Sequence, residues 1–488
     1  MAARRTIRVR PSLAVAGVCA LLAVSLASSL PAGAGPNHDP APRGVDPAQG
    51  IQNLDHLIFI VQENRSFDSY FGTFPGANGI PTKADGSFRV CVPDPTIGGK
   101  CRKPYHDTGP FDAGGPHGWK ASQVSVNHNR MNGYIRSWHD FSSTCKAEPH
   151  DPRCRKAGKG PHGTPDVMGY HTFKEIPNYW KYAKRYTLQD RMFAPADSWT
   201  VPAHLFMMSG WSARCPQPND PMSCVSDVVR PDQFWNPADG EPQPYAWADI
   251  TWLLYHAGVD WAYYVGPDTC VEPTDPGCAA PQNNLATGPN QNPLPGFDTI
   301  DQTNQWDRIA PYGEYFQRAA DGTLPSVTWI APTTHRGEHP PDTIETGQAW
   351  VTRAINAVME GPSDQWAHTA IFLFWDDWGG FYDHLPPRRV DENGYGIRVP
   401  SMLISPWASR DLPIDHTEYS FDSFLKLIED RFLQGERLDG VNDYLGSNPW
   451  PDPRPTVREE VPTLGDLRFA FDFGQVPRGP LILDPNPD

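Results

Sequence analysis

Positive charge is scarce in this sequence of 488 residues. Lysine and arginine together number 41, aspartate and glutamate 57, and the formal net charge is −16. Residues 1–34 carry four arginines and no acidic residue, so the rest of the chain is more acidic still. Non-specific binding to nucleic acid or to an anionic membrane surface requires basic patches. The composition therefore argues against a nucleic-acid partner, and any site for an anionic ligand would need local positive charge such as a metal ion.

Long apolar runs are absent after the N-terminus. Residues 1–34 combine the basic segment Arg4–Arg10, an apolar stretch from Leu13 to about Leu30, and the small-residue site Ala32–Ala34. This pattern is typical of a signal peptide cleaved near Ala34. A membrane anchor is the weaker alternative because the stretch is short, contains serines and is followed by Pro31. We expect a secreted monomer, extracellular or associated with the cell wall, with no transmembrane anchor. Export would use the Sec route or, given Arg4-Arg5, the twin-arginine (Tat) route.

Paired C-x-x-C spacing is missing, and so are histidines at zinc-finger spacing, which disfavours a structural zinc site. The chain has 9 cysteines, and Cys19 belongs to the expected signal peptide. The remaining even set is typical of disulfides in an exported protein, although eight cysteines permit about 105 connectivities. Their proximity within Pro/Gly-rich loops favours the pairs Cys91–Cys101, Cys145–Cys154, Cys215–Cys224 and Cys270–Cys278.

Short apolar runs alternate with helical patterns along the chain. The apolar runs predict buried strands at Leu54–Val61, Ser326–Ala331, Thr369–Trp375 and Val399–Ile404. The helical patterns cover Phe173–Tyr186, Pro202–Ser212, Asp249–His256, Gly347–Met359 and Ser420–Phe432. This alternation predicts an α/β domain with a mostly parallel sheet covered by helices on both faces.

The predicted domain covers residues 51–488, after a disordered leader at residues 35–50 that is rich in Pro, Gly and Asp. Two stretches, about 75–165 and 214–300, are rich in loops and contain all eight remaining cysteines. They are too long for ordinary connections in a compact domain. We expect them to be disulfide-stapled insertions that form a lid or a substrate-facing rim.

Polar clusters follow three of the predicted strands. Glu63 and Asn64 follow the first, Asp376 and Asp377 follow the third, and a loop with His335, Glu338 and His339 follows the second. Carboxyl ends of parallel strands meet at one edge of a sheet, where ligands bind. Oxygen donors of this kind suit a divalent cation. Shaping turns and helix caps is the alternative role of such residues, and clusters at three strand ends favour the site.

A hydroxyl nucleophile is offered by the segment Asp197–His204. Thr200 lies there near the start of a predicted helix, where backbone N–H groups and the helix dipole favour an anion. Metal coordination would lower the pKa of a hydroxyl and present its oxygen for attack. The alternative is that Thr200 or Ser198 is only an N-cap.

Four sequence blocks stand out along the chain: Glu63–Gly72 (ENRSFDSYFG), Ser198–Gly210 (SWTVPAHLFMMSG), Glu338–Pro341 (EHPP) with Gly347, and Phe374–His384 (FWDDWGGFYDH). They resemble, in the same order, segments of the phosphoesterase family that contains bacterial phospholipases C and certain acid phosphatases. A fifth and weaker match is His416–Phe432, a histidine followed by a Ser-Phe-Asp-Ser helix.

The resemblance implies a three-layer, alkaline-phosphatase-like sandwich and a metal-dependent hydrolase. By position, Glu63, Asn64, Asp376, Asp377 and the nucleophile Thr200 would hold one divalent ion, either Ca²⁺, Mg²⁺, Mn²⁺ or Zn²⁺. His117, in the sequence Gly114–His117, matches a histidine near the phosphate. His339, and with weaker support His335 and His384, would stabilise the oxyanion or protonate the leaving group. A covalent phospho-threonine intermediate follows from these roles.

Two departures from the family pattern bear on the substrate. The nucleophile block carries Ser198-Trp199 and Ala203-His204 where the family has Gly-Pro and Asn-Arg. We also expect the chain to lack the extra C-terminal domains of the longer phosphocholine-type phospholipases C. The leading hypothesis is hydrolysis of phospholipid head-group phosphodiesters, and the alternative is an acid phosphatase acting on phosphomonoesters.

Other interpretations of the sequence are weaker. A secreted ligand-binding pseudoenzyme would be expected to lose its nucleophile, and the C/S-x-P-S-R setting of an arylsulfatase is missing. The aromatic stretches Trp252–Tyr255 and Trp261–Tyr264 would either cage a choline group and shield acyl chains or pack in the core.

Overall fold

One central sheet of eight strands organises the described part of the chain. A computed structural model describes residues 47–157, 159–231, 242–266, 290–333, 335–440 and 451–487. In chain order the strands are β1 His56–Gln62, β2 Thr187–Gln189, β3 Trp261–Val265, β4 Ile309–Pro311, β5 Val327–Ile330, β6 Thr369–Trp375, β7 Ser401–Ile404 and β8 Ile414–Asp415. Their order across the sheet is β4-β3-β5-β1-β6-β7-β2-β8, and only β7 runs antiparallel to its neighbours. The predicted mostly parallel sheet is confirmed.

Helices connect most of these strands. They are α1 Pro47–Gly50, α2 Phe67–Phe71, α3 Trp119–Val126, α4 Tyr134–Asp140, α5 Thr144–Ala147, α6 Pro152–Lys156, α7 Pro177–Arg185, α8 Thr200–Ser209, α9 Ile250–His256, α10 Asp298–Gln302, α11 Tyr312–Asp321, α12 Ile344–Glu360, α13 Ser363–Ala367 and α14 Phe421–Phe432. All five predicted helices are confirmed, with ends shifted by a few residues. In the described part of the chain, no helix is long and apolar enough to span a membrane.

Smaller elements fill the connections. Short 3₁₀ turns occupy Ile51–Asn53, Pro95–Ile97, Pro161–Gly163, Asp166–Met168, Pro221–Ser223, Leu294–Gly296, Trp306–Arg308, Arg458–Glu460 and Leu467–Ala470. Two-residue ladders pair Val92–Pro93 with Cys101–Arg102, Tyr105–His106 with Gly169–Tyr170, and Ala213–Arg214 with Val225–Ser226.

Helices cover both faces of the sheet, which makes the fold a three-layer α/β sandwich. Successive side chains of a strand point to opposite faces of the sheet. Phe374 and Trp375, at the end of β6, therefore lie on its two faces. The ring of Phe374 lies 4.7 Å from that of Phe424 in α14, between centroids. The ring of Trp375 lies 5.1 Å from that of Tyr179 in α7. Strands β1, β5 and β6 are therefore buried almost throughout, as their continuous apolar sequences predict.

Two predicted boundaries are wrong. Pro47–Gly50 form helix α1, so the leader predicted for residues 35–50 ends at least four residues earlier. The rest of that leader and the predicted signal peptide lie outside the described residues. Within the stretch 214–300, Trp261–Val265 form β3 of the central sheet, because five consecutive buried residues supply a strand that neighbours can cover on both faces. That part of the stretch is not an insertion, whereas no described residue of 75–165 joins the central sheet.

The proposed aromatic cage is also wrong for Trp261–Tyr264, because all four side chains lie in the core. In α9 the side chain of Trp252 is buried, while Tyr255 is 48% exposed.

Three of the predicted disulfides are confirmed: Cys91–Cys101, Cys145–Cys154 and Cys215–Cys224. The fourth predicted pair, Cys270–Cys278, lies outside the described residues and stays a prediction.

We expect peptide mapping of the non-reduced protein to find all four local pairs and no free thiol. Each bridge closes a loop of about ten residues, so its removal should lower the free energy of unfolding by about 2–3 kcal/mol in the chain-entropy model. Mass spectrometry of the non-reduced digest checks the pairing. A bridge between two different pairs, or an alkylatable Cys270, would contradict it.

Candidate active site

The ends of β1 and β6 bring the first two predicted clusters together. These strands are parallel neighbours with Gln62 opposite Trp375, so the residues that follow them emerge side by side. The backbone N–H of Asn64 donates to Asp376 Oδ1 at 2.9 Å, and the N–H of Asp377 donates to the same oxygen at 2.7 Å. The side-chain amide of Asn64 lies 3.4 Å from Glu63 Oε2.

A close approach of backbones holds this arrangement. Asn64 adopts the left-handed conformation, with φ of 62°, which asparagine tolerates better than most residues. Gly379 faces it with φ of +59°, and a Cβ on Gly379 would lie 2.4 Å from Asn64 O and 2.7 Å from Asn64 Cβ. Only glycine fits here. The N–H of Gly379 also donates to Asp377 Oδ1 at 2.7 Å.

Replacing Gly379 by alanine should therefore displace Asn64 and weaken metal binding and turnover, with a loss of at least about tenfold in metal affinity, as for other changes next to metal ligands. Isothermal titration of the metal into the purified variant measures this. Gly394→Ala is the matched control, because Gly394 has a similar φ of +68° and no heavy atom within 3.8 Å of a Cβ built there. Equal losses of metal affinity in both variants would show that backbone strain, and not the approach to Asn64, is responsible.

Three buried oxygens at the strand ends have no hydrogen-bond partner among the described residues: Glu63 Oε1, Asn64 Oδ1 and Asp376 Oδ2. Burial, followed by the charges of Asp376 and Asp377, raises the pKa of Glu63 well above its ordinary value. Burial also raises the pKa of Asp377 to about 7. Buried, mutually repelling carboxylates with unsatisfied oxygens are what a divalent cation stabilises. The residues present fit the metal ion that the resemblance implies.

Thr200 begins helix α8 beside these carboxylates, and its side chain is buried. Its Oγ1 lies 3.5 Å from Asp377 Oδ2. Burial raises the pKa of Asp376 to about 8, and the Thr200 hydroxyl acts in the opposite direction on the pKa values of both aspartates. The N-cap is Trp199, with no side-chain capping bond. The alternative that Thr200 or Ser198 serves only as N-cap is therefore wrong.

Ser198 faces away from this cluster. Its hydroxyl donates to the backbone carbonyl of Val228. The structure thus places one of the two candidate hydroxyls of this block, that of Thr200, next to the acidic residues.

His204 is a site residue that the sequence did not predict. Its Nε2 lies 3.8 Å from Glu63 Oε1 and 3.9 Å from Asp376 Oδ2. The imidazole is buried, and burial lowers the pKa of His204 to about 3, with the backbone of Gln291 acting in the opposite direction. The available signal was the spacing of four residues from Thr200, which puts both side chains on one face of a helix.

His117 and His339 stand next to each other, with ring centroids 6.0 Å apart. Nδ1 of His117 lies 2.8 Å from Gly115 O, and Nδ1 of His339 lies 2.8 Å from Pro340 O. Because a carbonyl only accepts, Nδ1 carries the proton in each ring and Nε2 is left with the lone pair. Burial lowers the pKa of both imidazoles, that of His339 to about 4; the charge of Asp376 acts on His117 in the opposite direction.

Two further predicted histidines lie in ion pairs. His335 is 53% exposed, and its Nδ1 lies 2.9 Å from Asp342 Oδ1. His384 has Nδ1 at 2.7 Å from Asp68 Oδ2 and Nε2 at 3.2 Å from Asn78 Oδ1. Both nitrogens of His384 are thus occupied, and a catalytic role for it stays a prediction.

Glu338 is held by a buried network of hydrogen bonds next to His339. Its carboxylate accepts from Tyr70 Oη at 2.7 Å, Tyr179 Oη at 2.5 Å and Trp375 Nε1 at 3.1 Å. Gly347 makes room for it, because a Cβ there would lie 2.1 Å from Glu338 Cγ. The network fixes the backbone next to His339.

Most of this chain is similar in sequence to known proteins. The model of the Phosphoesterase family matches residues 54–433. Non-hemolytic phospholipase C of Burkholderia pseudomallei is 25% identical over 471 residues, which cover 87% of this chain and 59% of that protein. Phospholipase C B of Mycobacterium tuberculosis is 24% identical over 494 residues, which cover 89% of this chain and 81% of that protein. The chain thus spans less than two thirds of the length of the Burkholderia relative.

Among solved structures, a protein in the alkaline phosphatase superfamily from Vibrio parahaemolyticus is similar in part. It is 14% identical, the match covers 54% of this chain and 61% of that chain, and the TM-score is 0.27.

Proposed function

This chain belongs to the Phosphoesterase family, and we propose that it hydrolyses phosphate esters through a covalent intermediate on Thr200 at a divalent metal site. One observation carries the proposal. Thr200 begins a helix of ten residues, and its hydroxyl lies 3.5 Å from Asp377 Oδ2. In the neighbouring carboxylates of Glu63 and Asp376, one buried oxygen each has no hydrogen-bond partner among the described residues. A cation bound by these carboxylates would lie next to the hydroxyl and could activate it.

Glu63, Asn64, Asp376, Asp377 and Thr200 would hold the ion. When bound, it would neutralise the charge of the phosphate oxygens and lower the pKa of the Thr200 hydroxyl. Glu63, Asn64 and Asp376 supply the buried oxygens that have no hydrogen-bond partner within the described ranges, and Asp377 is oriented by the N–H of Gly379.

In the proposed reaction Thr200 Oγ1 attacks phosphorus in line with the leaving alcohol. A bond forms between Oγ1 and phosphorus while the bond from phosphorus to the alcohol oxygen breaks. The carboxylate of Asp377 is placed to accept the hydroxyl proton, and the first turn of α8 presents free N–H groups to the phosphate. Water then attacks phosphorus from the opposite side and the bond to Oγ1 breaks. The Thr200 hydroxyl is restored, and the phosphate leaves with the ester group that it kept.

His117 and His339 are the groups that move a proton to the leaving oxygen. Each has Nδ1–H fixed on a carbonyl, so Nε2 is the atom that takes up a proton. Both rings are neutral at rest because they are buried. A bound phosphate group brings negative charge beside them and raises their pKa, which makes Nε2–H available as a general acid.

Phospholipid head-group phosphodiesters are the proposed substrates, because the relatives that match over most of this chain carry the name phospholipase C. Specificity would be set outside the metal site. A cavity of about 630 Å³ is lined by Gln123 and Asn127 of the first predicted insertion, by Asp197 next to the nucleophile block, and by Arg389. We propose that this insertion forms part of the substrate rim.

We also propose that the protein is exported from the cytoplasm. The three described disulfides fit an oxidising compartment, as does the signal-like sequence of residues 1–34.

A substrate panel tests the activity. Phosphatidylcholine and bis-nitrophenyl phosphate should be cleaved, and exhaustive chelation should abolish the activity until a divalent ion is restored. Cleavage of mononitrophenyl phosphate alone would show a phosphomonoesterase and overturn the lipid assignment. Full activity after chelation, with metal removal verified, would overturn the metal site.

A further inference from the structure

His204 turns a nitrogen toward the unsatisfied oxygens of the site. Glu63, His204 and Asp376 each offer one ligand atom, and these atoms all lie within 4.8 Å of one another. His204 Nε2 lies within 4 Å of Glu63 Oε1 and Asp376 Oδ2. These two oxygens have no hydrogen-bond partner among the described residues. Nε2 itself also lacks one there. Three polar atoms without partners therefore face a common point in the core.

The distances separate two explanations of this cluster. At 3.8 and 3.9 Å, the separations between Nε2 and the two oxygens exceed those of hydrogen bonds. Two ligand atoms that each lie about 2.1 Å from one ion are separated by about 3 to 4 Å, depending on the angle between them. The observed separations fall in that span. A direct hydrogen-bonded ion pair would bring these atoms closer together, and the observed spacing matches the one that a shared cation would require.

Helix α8 accounts for the position of the imidazole. His204 follows Thr200 by four residues, so the two side chains project from the same face, one turn apart. His204, one of the residues that depart from the family pattern, thus lies beside the carboxylates of Glu63 and Asp376.

We propose that His204 Nε2 is a ligand of the divalent ion and gives this chain a mixed nitrogen and oxygen site. The proposal rests on the metal-dependent function proposed above. Imidazole is a preferred ligand of zinc and other transition metals, whereas calcium and magnesium prefer oxygen alone. His204 therefore selects a transition metal over calcium and magnesium.

Pulsed EPR of the Mn²⁺-loaded full-length enzyme tests the ligand directly. Protein labelled with ¹⁵N-histidine should show electron spin echo modulation from a coordinated histidine nitrogen. His204→Gln should remove that modulation while Mn²⁺ remains bound. His56→Gln is the matched control. His56 begins β1, at the opposite end of that strand from Glu63, and its Nδ1 lies 3.0 Å from Pro325 O. This variant should keep the modulation.

Metal competition gives a second readout. His204→Gln should lower the affinity for Zn²⁺ by at least about tenfold, the lower end of the cost of disturbing even an outer partner of a ligand. Its affinity for Ca²⁺ should fall by a smaller factor, because an amide oxygen replaces the imidazole.

The outcomes separate this proposal from the proposed function. Wild-type enzyme that binds Mn²⁺ without any histidine modulation would overturn the role of His204 even if the variant failed to fold. Modulation that survives in His204→Gln would do the same and would point to His117 or His339. Wild-type enzyme that binds no divalent ion would overturn the metal site as a whole.

Discussion

Thr200→Val should abolish hydrolysis, with a loss in kcat of at least about 10³-fold. Valine has nearly the same shape as threonine and fits the buried first turn of α8, so the fold should persist. The change removes the one oxygen of that turn that lies beside Asp377. Residual turnover would come only from substrate binding and polarisation by the metal. Steady-state kinetics with a chromogenic diester measures the loss, and circular dichroism confirms the fold.

Ser198→Ala is the matched control for that variant. Ser198 lies two residues upstream and is equally buried, but its hydroxyl donates to Val228 O. Its removal leaves a carbonyl with one partner fewer and should lower the free energy of unfolding by about 1 kcal/mol, while kcat changes little. An inactive Ser198→Ala together with an active Thr200→Val would move the nucleophile by two residues and contradict the proposed mechanism.

Asp376→Asn should weaken metal binding and turnover together, each by about 10² or more, because a bound ion loses a charged ligand. Oδ1 accepts from the N–H groups of Asn64 and Asp377, and an asparagine would keep that oxygen in place. Its NH₂ group would then occupy the position of Oδ2, the oxygen that has no partner among the described residues. A donor would replace an acceptor at the point where the cation is expected.

Isothermal titration and kinetics at several metal concentrations measure this effect, and excess metal should restore part of the lost turnover. Asp249→Asn is the control for a buried aspartate. Asp249 caps α9 through the N–H of Thr251, a role that asparagine fills equally well. Unchanged metal affinity in Asp376→Asn would remove this carboxylate from the site.

The sequence predicted the central strands of the sheet because each of them is a short, continuous apolar run. Strand β6 coincides with the predicted Thr369–Trp375, a run of seven buried residues. The polar pairs after β1 and β6 could be placed side by side because both strands are buried and parallel. Whether these residues bind metal stays a prediction, as does the role of each histidine.

The sequence did not predict the outer strands of the sheet, for physical reasons. Thr187–Gln189 and Ile309–Pro311 have three residues each, too few to show a period. The second contains a proline, which is tolerated because β4 is an edge strand. Trp261–Val265 has the apolar run of a buried strand, but its aromatic residues fitted either a ligand cage or the core. Only the neighbouring strands show that it packs in the core.

The sequence did not reveal His204 as a site residue because the direction of its side chain depends on the residue at which the helix begins. Each residue advances an α-helix by about 100°, so an error of one residue in the start of α8 points His204 elsewhere. The predicted helix began at Pro202, two residues late. Similarly, the contact of Gly379 with Asn64 joins residues more than 300 positions apart, which no local pattern reports.

The covalent intermediate is tested most directly by trapping it. Wild-type enzyme mixed with a diester substrate and quenched in acid within milliseconds should yield, after digestion, a peptide in which Thr200 carries the phosphoryl group together with the ester group that did not leave. Tandem mass spectrometry should place the phosphate on Thr200, and the Thr200→Val protein should yield none. A phosphate on Ser198 or on a histidine, or rapid turnover with no phosphopeptide at any quench time, would contradict the account.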